Sequence, residues 1–233
     1  MQAGYNSDVI AAVVSGEIIT TEQLDEATAE IEEAYSHIEW ADEDGHRLFA
    51  LYNLVGYVRF GQLSEEMNIE ITDARFDSWW ENGVMADGTG RTFEEAYHAG
   101  DISNLEALYQ IRQAIVRNAL HGQATLEMAR EQDIEITEDE IDDFLQYDHV
   151  QEWIEMGGLA SQYEIRNFAE LQLARSILFK GLDQDEHDAL DGELYAAAQS
   201  RLWEMAGDAT LAIYDPQIRE SNPDAWFFDM RSQ

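Results

Sequence analysis

The side chains able to do proton, metal or nucleophile chemistry are scattered along this sequence. Histidines stand at His37, His46, His98, His121, His149 and His187, and no two share the HxxxH or HxxEH spacing that brings imidazoles to one metal. Cysteine is absent, which excludes disulfides, thiolate nucleophiles and cysteine-based metal sites. With 49 Asp and Glu residues, adjacent carboxylates carry no information about a catalytic dyad. Asp183, Asp185 and Glu193 hint at a calcium loop, but the sixth position from Asp183 is Asp188, where an EF-hand requires glycine. Gly88-Thr89-Gly90 reads as a plain turn rather than a phosphate cradle, and GxSxG, P-loop and GxGxxG patterns are missing. No catalytic residue, metal or cofactor is expected. The aromatic clusters are the remaining candidates: Trp79-Trp80, Trp153 with Met156, and Trp226-Phe227-Phe228, all near predicted helix ends or loops. Each is either core packing or part of a groove in which flexible and aromatic side chains accept apolar polypeptide segments of varied sequence. These seven are the candidate peptide-binding residues.

The elements that would position them are mostly helical. Residues 8–20 read as a strand, a tight turn at Ser15-Gly16 and a second extended piece. Thr20 or Thr21 then caps a helix to about His37, with Leu24, Ala27, Thr28, Ile31 and Ala34 on one side. A helix over roughly Arg47–Met67 is rich in aromatic and β-branched residues and is expected to be largely buried. A glycine-bearing, irregular loop follows at 81–91, then a helix at 103–121 that continues through 123–132. Thr137 and Glu140 form a capping box, and Ile141, Phe144 and Leu145 share the apolar face of the next helix. Past a Gly-Gly break, Ser161 opens a helix carrying Ile165, Phe168, Leu171 and Leu178 on one stripe. Residues 181–188 read as an acidic joint before a helix from Asp188 to Ala206, which Gly207 stops. Ala209–Tyr214 reads as a strand ended by Asp215-Pro216, and 217–233 is a tail.

Two segments recur. Ile69-Glu70-Ile71-Thr72 matches Ile134-Glu135-Ile136-Thr137, and Gly100, Ile102 and Ser103 match Gly158, Ala160 and Ser161. With the flanking helices also recurring, the chain reads as an internal duplication, about 47–120 and 110–180, closed by a helix and strand over 188–214.

The pattern around the second segment resembles the N-terminal module of the SurA-type envelope chaperones, relatives of the PrsA and PpiD foldases. The residues that carry it are Ile134, Ile136, Thr137, Glu138, Glu140, Ile141 and Asp142, then Gly158, Leu159, Ser161, Ile165 and Arg166. Near the start, Val13, Val14, Gly16, Glu17, Ile19, Thr20 and Leu24 match that family's opening strand and helix, with Ser15 where the family most often has Asn. The resemblance covers most of 8–216 as one module. It implies that the strand near Val9–Val14 pairs with the one near Thr210–Tyr214, since an isolated strand also needs a partner. In the family a catalytic parvulin domain sits where the joint at 181–188 lies here, and that joint is far too short for a domain.

The expected fold is therefore mostly α, a SurA N-terminal-like helical module whose small β element pairs the two terminal strands. The function this resemblance implies is a holdase-type chaperone for unfolded or extended polypeptides, without isomerase activity. Two alternatives stay open: a structural or adaptor protein holding one specific partner, and an acidic mimic of nucleic acid. The charge bounds all three. The formal net charge is −36, with 13 basic residues, of which only Lys180 is a lysine. Phosphate backbones and anionic membranes would be repelled, so neither nucleic-acid binding nor membrane insertion is expected. Such acidity is the common composition of proteins working in high salt. No signal peptide is visible, so the expected location is outside the cytoplasm if a leader was removed, and otherwise the cytoplasm of a halophile.

Overall fold

The computed structural model describes residues 9–36, 43–85, 89–156 and 162–220, and within them lie ten helices and three strands. Met156's side chain and Trp226, Phe227 and Phe228 fall outside the described residues, as do Gly158, Ala160 and Ser161 of the second recurring segment. Strand β1 (Ile10–Val14) turns into β2 (Glu17–Thr20) through Ser15 and Gly16, whose φ values of 47° and 94° are both left-handed. That pair of conformations matches the twist of a two-residue hairpin, and glycine adopts it without strain. Strand β3 (Leu211–Ile213) pairs antiparallel with the other side of β1, giving the order β2-β1-β3. Val14 faces Leu211 and Ala12 faces Ile213, and the Ser15 N–H donates to the Thr210 carbonyl at 2.7 Å. The expected pairing of the terminal strands is present, within a mostly helical chain.

The chain divides into two compact units. One comprises the described residues up to Leu63, Trp80–Gln113, and those from Trp203 onward; the other comprises Ser64–Trp79 and Ala114–Leu202. In the first unit, Thr20 caps α1 (Thr21–Ala34) through a reciprocal box with Gln23. The 3–4 spacing of Leu24, Ala27, Thr28 and Ile31 turns one face of α1 into the core. That core joins Ala12, Val14 and Ile19 of the hairpin to Leu48, Leu51 and Val55 of α2 (Glu43–Glu66) and to Leu105 of α5 (Asn104–Glu131). α2 and α5 approach closely at Gly56, where a Cβ would meet the Tyr109 ring at 2.4 Å.

Two helices of this unit are absent from the sequence reading. Thr92 and Glu95 form a capping box for α4 (Phe93–His98), and Asp215 accepts the Ile218 N–H at 3.1 Å to start α10 (Pro216–Glu220). Both lie in short stretches where periodicity has too few turns to register. Around the expected irregular loop, the Met85 N–H donates to the Arg91 carbonyl at 2.9 Å, and Val84 bridges Thr92.

The second unit holds α6 (Glu138–Phe144), α7 (Asp148–Met156), α8 (Gln162–Leu178) and most of α9 (Gln184–Gly207). The joint expected at 181–188 is shorter than read. Asp183 and Glu186 form another reciprocal box, at 3.0 and 3.1 Å, so α9 begins at Gln184. Helix α3 (Asp73–Asn82) follows the first recurring segment.

Candidate functional site

The site of interest in the second unit is built by one turn made twice. At the end of α2, Asn68 takes φ 55°; at the end of α5, Asp133 takes φ 56°. Asparagine and aspartate tolerate the left-handed region better than other side chains, so each stops its helix without glycine. The Ile69 N–H then donates to the Ser64 carbonyl at 2.7 Å, and the Ile134 N–H to the Ala129 carbonyl at 2.9 Å. Thr72 Oγ1 accepts the Arg75 N–H at 3.1 Å, and Thr137 Oγ1 the Glu140 N–H at 3.3 Å. These backbone and threonine-cap bonds of the first turn each have a counterpart at the same offset in the second. One position differs. Glu140 reaches back to the Thr137 N–H at 2.8 Å, whereas Arg75 donates to the Glu70 carbonyl at 3.2 Å and to Glu164 at 2.5 Å.

Each turn walls a hollow against α5 and α8. The first, about 460 Å³, runs from Met67–Ile69 along Asn118, Gly122 and Leu126 of α5 and Asn167, Phe168 and Leu171 of α8. Gly122 allows this approach, since a Cβ there would already stand 3.0 Å from Leu171 Cδ2. The Arg75–Glu164 pair lies on the wall with side chains only 12% and 11% exposed, and Arg75 Nε bonds no described residue. Four side-chain amides line the hollow: Asn68, Asn118, Gln123 and Asn167. None makes a side-chain hydrogen bond among the described residues. Each amide therefore offers donors and acceptors to a visitor. The second hollow, about 290 Å³, is walled by Leu126, Ala129, Ile134, Ile136 and Ala174 and has no such amides. Its apolar lining continues the small cluster of Ala129, Ala174 and Leu178. Leu126, Arg130 and Glu170 border both hollows.

A third hollow, about 120 Å³, lies in the first unit between Val55, Gly56 and Phe60 of α2, Trp203 and Ala206 of α9, and Leu211 of β3. It is close to the size of a cavity that holds one benzene ring, about 150 Å³. Arg59 donates to the Met205 carbonyl at 2.5 Å on its rim, and the buried Trp203 Nε1 bonds no described residue.

No protein family, curated protein or solved structure matches the chain.

The aromatic candidates lie elsewhere: neither Trp79, Trp80 nor Trp153 borders any of these three hollows. Trp79 and Trp80 are half-buried on α3, and Trp80 tilts against Tyr97 with ring centroids 5.3 Å apart. Trp153 belongs to an exposed strip at the α6–α7 corner. Its ring meets His149 edge-on at 5.1 Å, His149 stacks on Tyr147 at 5.6 Å, and Tyr147 meets Phe144 at 6.5 Å. Tyr147 and Trp153 are 56% and 42% exposed. Sequence reasoning singled out Trp153 and passed over its neighbours, although the (i, i+4) spacing of His149 and Trp153 was there to be read.

Among the histidines, His121 stands 3.6 Å from Asp191, whose Oδ1 accepts Arg175 at 2.6 Å. Burial lowers the His121 pKa, against the pull of Asp191, and so favours neutral imidazole. Among the described residues no three His, Asp or Glu side chains cluster as a metal site, and no helix is long and apolar enough to cross a membrane.

Proposed function

We propose that the protein is a holdase-type chaperone that binds unfolded or extended polypeptide and has no isomerase activity. The observation that carries this reading is the amide-lined hollow of the second unit. An extended chain presents N–H and C=O groups alternately whatever its sequence, and Asn or Gln amides answer both. Beside them, Leu126, Phe168 and Leu171 offer apolar surface for side chains. Such a surface holds many sequences weakly, as a holdase must. The resemblance to SurA-type modules supports the same reading and implies action outside the cytoplasm.

The test is suppression of aggregation of a chemically unfolded client in roughly 1 M salt, where repulsion within this acidic chain is screened. The wild type should suppress aggregation. The triple variant Asn118→Ala, Gln123→Ala, Asn167→Ala should lose most of that effect while keeping its helical circular dichroism, because alanine favours helix at all three positions. A wild type that protects no unfolded client rules the reading out.

A second reading, an adaptor for one partner, is favoured by the Phe144–Tyr147–His149–Trp153 strip. Rigid exposed aromatics in contact are what interface hot spots are made of. Capture from the native host separates the two readings, since a holdase brings many clients and an adaptor one.

A further inference from the structure

The geometry points to a two-subsite track: the adjoining hollows of the second unit take successive stretches of one extended polypeptide segment, neutral to basic in charge, with the Arg130–Glu170 pair dividing them. This rests on the chaperone reading and adds to it the length and charge of what is held. The two hollows meet at Leu126, Arg130 and Glu170, so a chain leaving one enters the other. The same turn, with the same hydrogen bonds, walls both. Their linings differ in a useful way. The first presents unpartnered amides suited to backbone; the second presents Ala129, Ile134, Ile136 and Ala174, suited to apolar side chains.

The divider is easily opened. Arg130 Nη2 lies 3.7 Å from Glu170 Oε1, beyond hydrogen-bonding range, and the Arg130 side chain is 66% exposed. An ion pair that loose and wet adds almost nothing to stability, so a bound segment can part it at little cost. Charge selects the occupant. Exposed Glu135 stands at the rim of the second hollow, Glu127 at the rim of the first is paired with Arg201 at 3.3 Å, and the chain as a whole carries −36, so acidic segments are repelled and basic ones drawn in. Once a segment fills one hollow, its continuation reaches the other at high effective concentration, and affinity rises with length.

The absence of cysteine allows a clean test. Ala119→Cys places a unique thiol in the first hollow and Ile136→Cys one in the second, each to carry an environment-sensitive dye. The probes are acetylated, amidated repeats of Ser-Leu-Lys with about 4, 8 and 12 residues, roughly 14, 28 and 42 Å when extended at ~3.5 Å per residue. The track requires that the shortest peptide perturb one reporter, and that the longest perturb both with a single midpoint, one peptide per protein. The longest should also bind at least tenfold more tightly than the shortest, and a Ser-Leu-Glu series should bind at least tenfold more weakly. Arg130→Gln should tighten the longest peptide several-fold and change the shortest less than twofold. Independent midpoints at the two reporters, two long peptides per protein, or an equal effect of Arg130→Gln on short and long peptides would each overturn the track. A protein that suppresses aggregation while neither reporter responds overturns the track and leaves the chaperone reading standing. Failure of both assays overturns the chaperone reading, and the track with it.

Discussion

Asp215 is 3% exposed and still bonded like a charged group, because Arg47 donates to its Oδ2 from Nη2 at 2.6 Å and from Nε at 3.2 Å. Burial works against the Arg47 charge, yet the hydrogen bonds to Asp215 and Asp25 outweigh it and hold the Arg47 pKa above its ordinary value. The same carboxylate caps α10, so one side chain ties the residues after β3 to α2. Asp215→Ala leaves Arg47, whose side chain is only 14% exposed, with Asp25 as its remaining carboxylate and uncaps a helix; urea denaturation should show a loss of about 1–3 kcal/mol. Glu106 offers a test by pH. Burial raises its pKa, and the hydrogen bonds it accepts from Tyr35 and Gln110 only partly offset that. An acid with a raised folded pKa binds its proton more tightly when folded. Its contribution to stability is whole below the unfolded value, about 4.3, and is lost as pH rises through the folded one. Glu106→Gln keeps an acceptor for Tyr35 and cannot ionise. Its melting temperature should therefore gain on the wild type as pH climbs above about 4.3, and a difference that stays constant with pH would refute the assignment.

At the scale of elements, the two recurring turns make a matched pair of measurements. Thr72 caps α3 through one bond, from Arg75 N–H. Thr137 caps α6 through one, and its hydroxyl also donates to the Glu140 carboxylate at 2.8 Å. Backbone and side-chain bonding to Thr137 lowers the Glu140 pKa, so this box depends on an ionised carboxylate. Thr→Ala at a cap costs roughly 0.5–2 kcal/mol, and Thr137→Ala should lie above Thr72→Ala within that range. The excess should vanish when the melts are repeated in acid, where Glu140 is protonated.

For the whole molecule, electrostatics act through the imbalance of 49 acidic to 13 basic residues. Several arginines bridge carboxylates, as Arg166 does between Asp142 at 2.7 Å and Glu138. They cannot neutralise a net −36, and the excess carboxylates repel one another. Raising salt from about 0.1 to about 1 M shortens the screening length from about 10 to about 3 Å, which weakens the few exposed pairs and the many repulsions alike. Repulsions are more numerous, so the melting temperature should climb steeply along a potassium chloride series. A flat response would remove the high-salt reading and make the acidic surface a candidate interface.

What could be read from sequence alone was whatever is encoded within one or two helical turns. The capping box at Thr137, the apolar stripe of α1 and the Ser15-Gly16 hairpin depend on residues three or four apart, and each stands where the residues placed it. The same local signal marks α4 through Thr92 and Glu95 and the start of α9 through Asp183 and Glu186; the sequence reading lacks α4 and begins α9 four residues late, at Asp188. The β1–β3 pairing joins residues some 200 apart and is expected from a resemblance and from an isolated strand's need of a partner, since nothing in LAI names which strand that is. The hollows lay out of reach altogether. Asn118, Gln123 and Asn167 are unremarkable on their own helices and Asn68 in its turn, and only the packing of α8 against α5 at Gly122 and Leu171 brings them around one space. Periodicity tells a helix which face is apolar; which other helix that face meets, and what gap is left between them, is decided by the tertiary packing of shapes that no local spacing specifies.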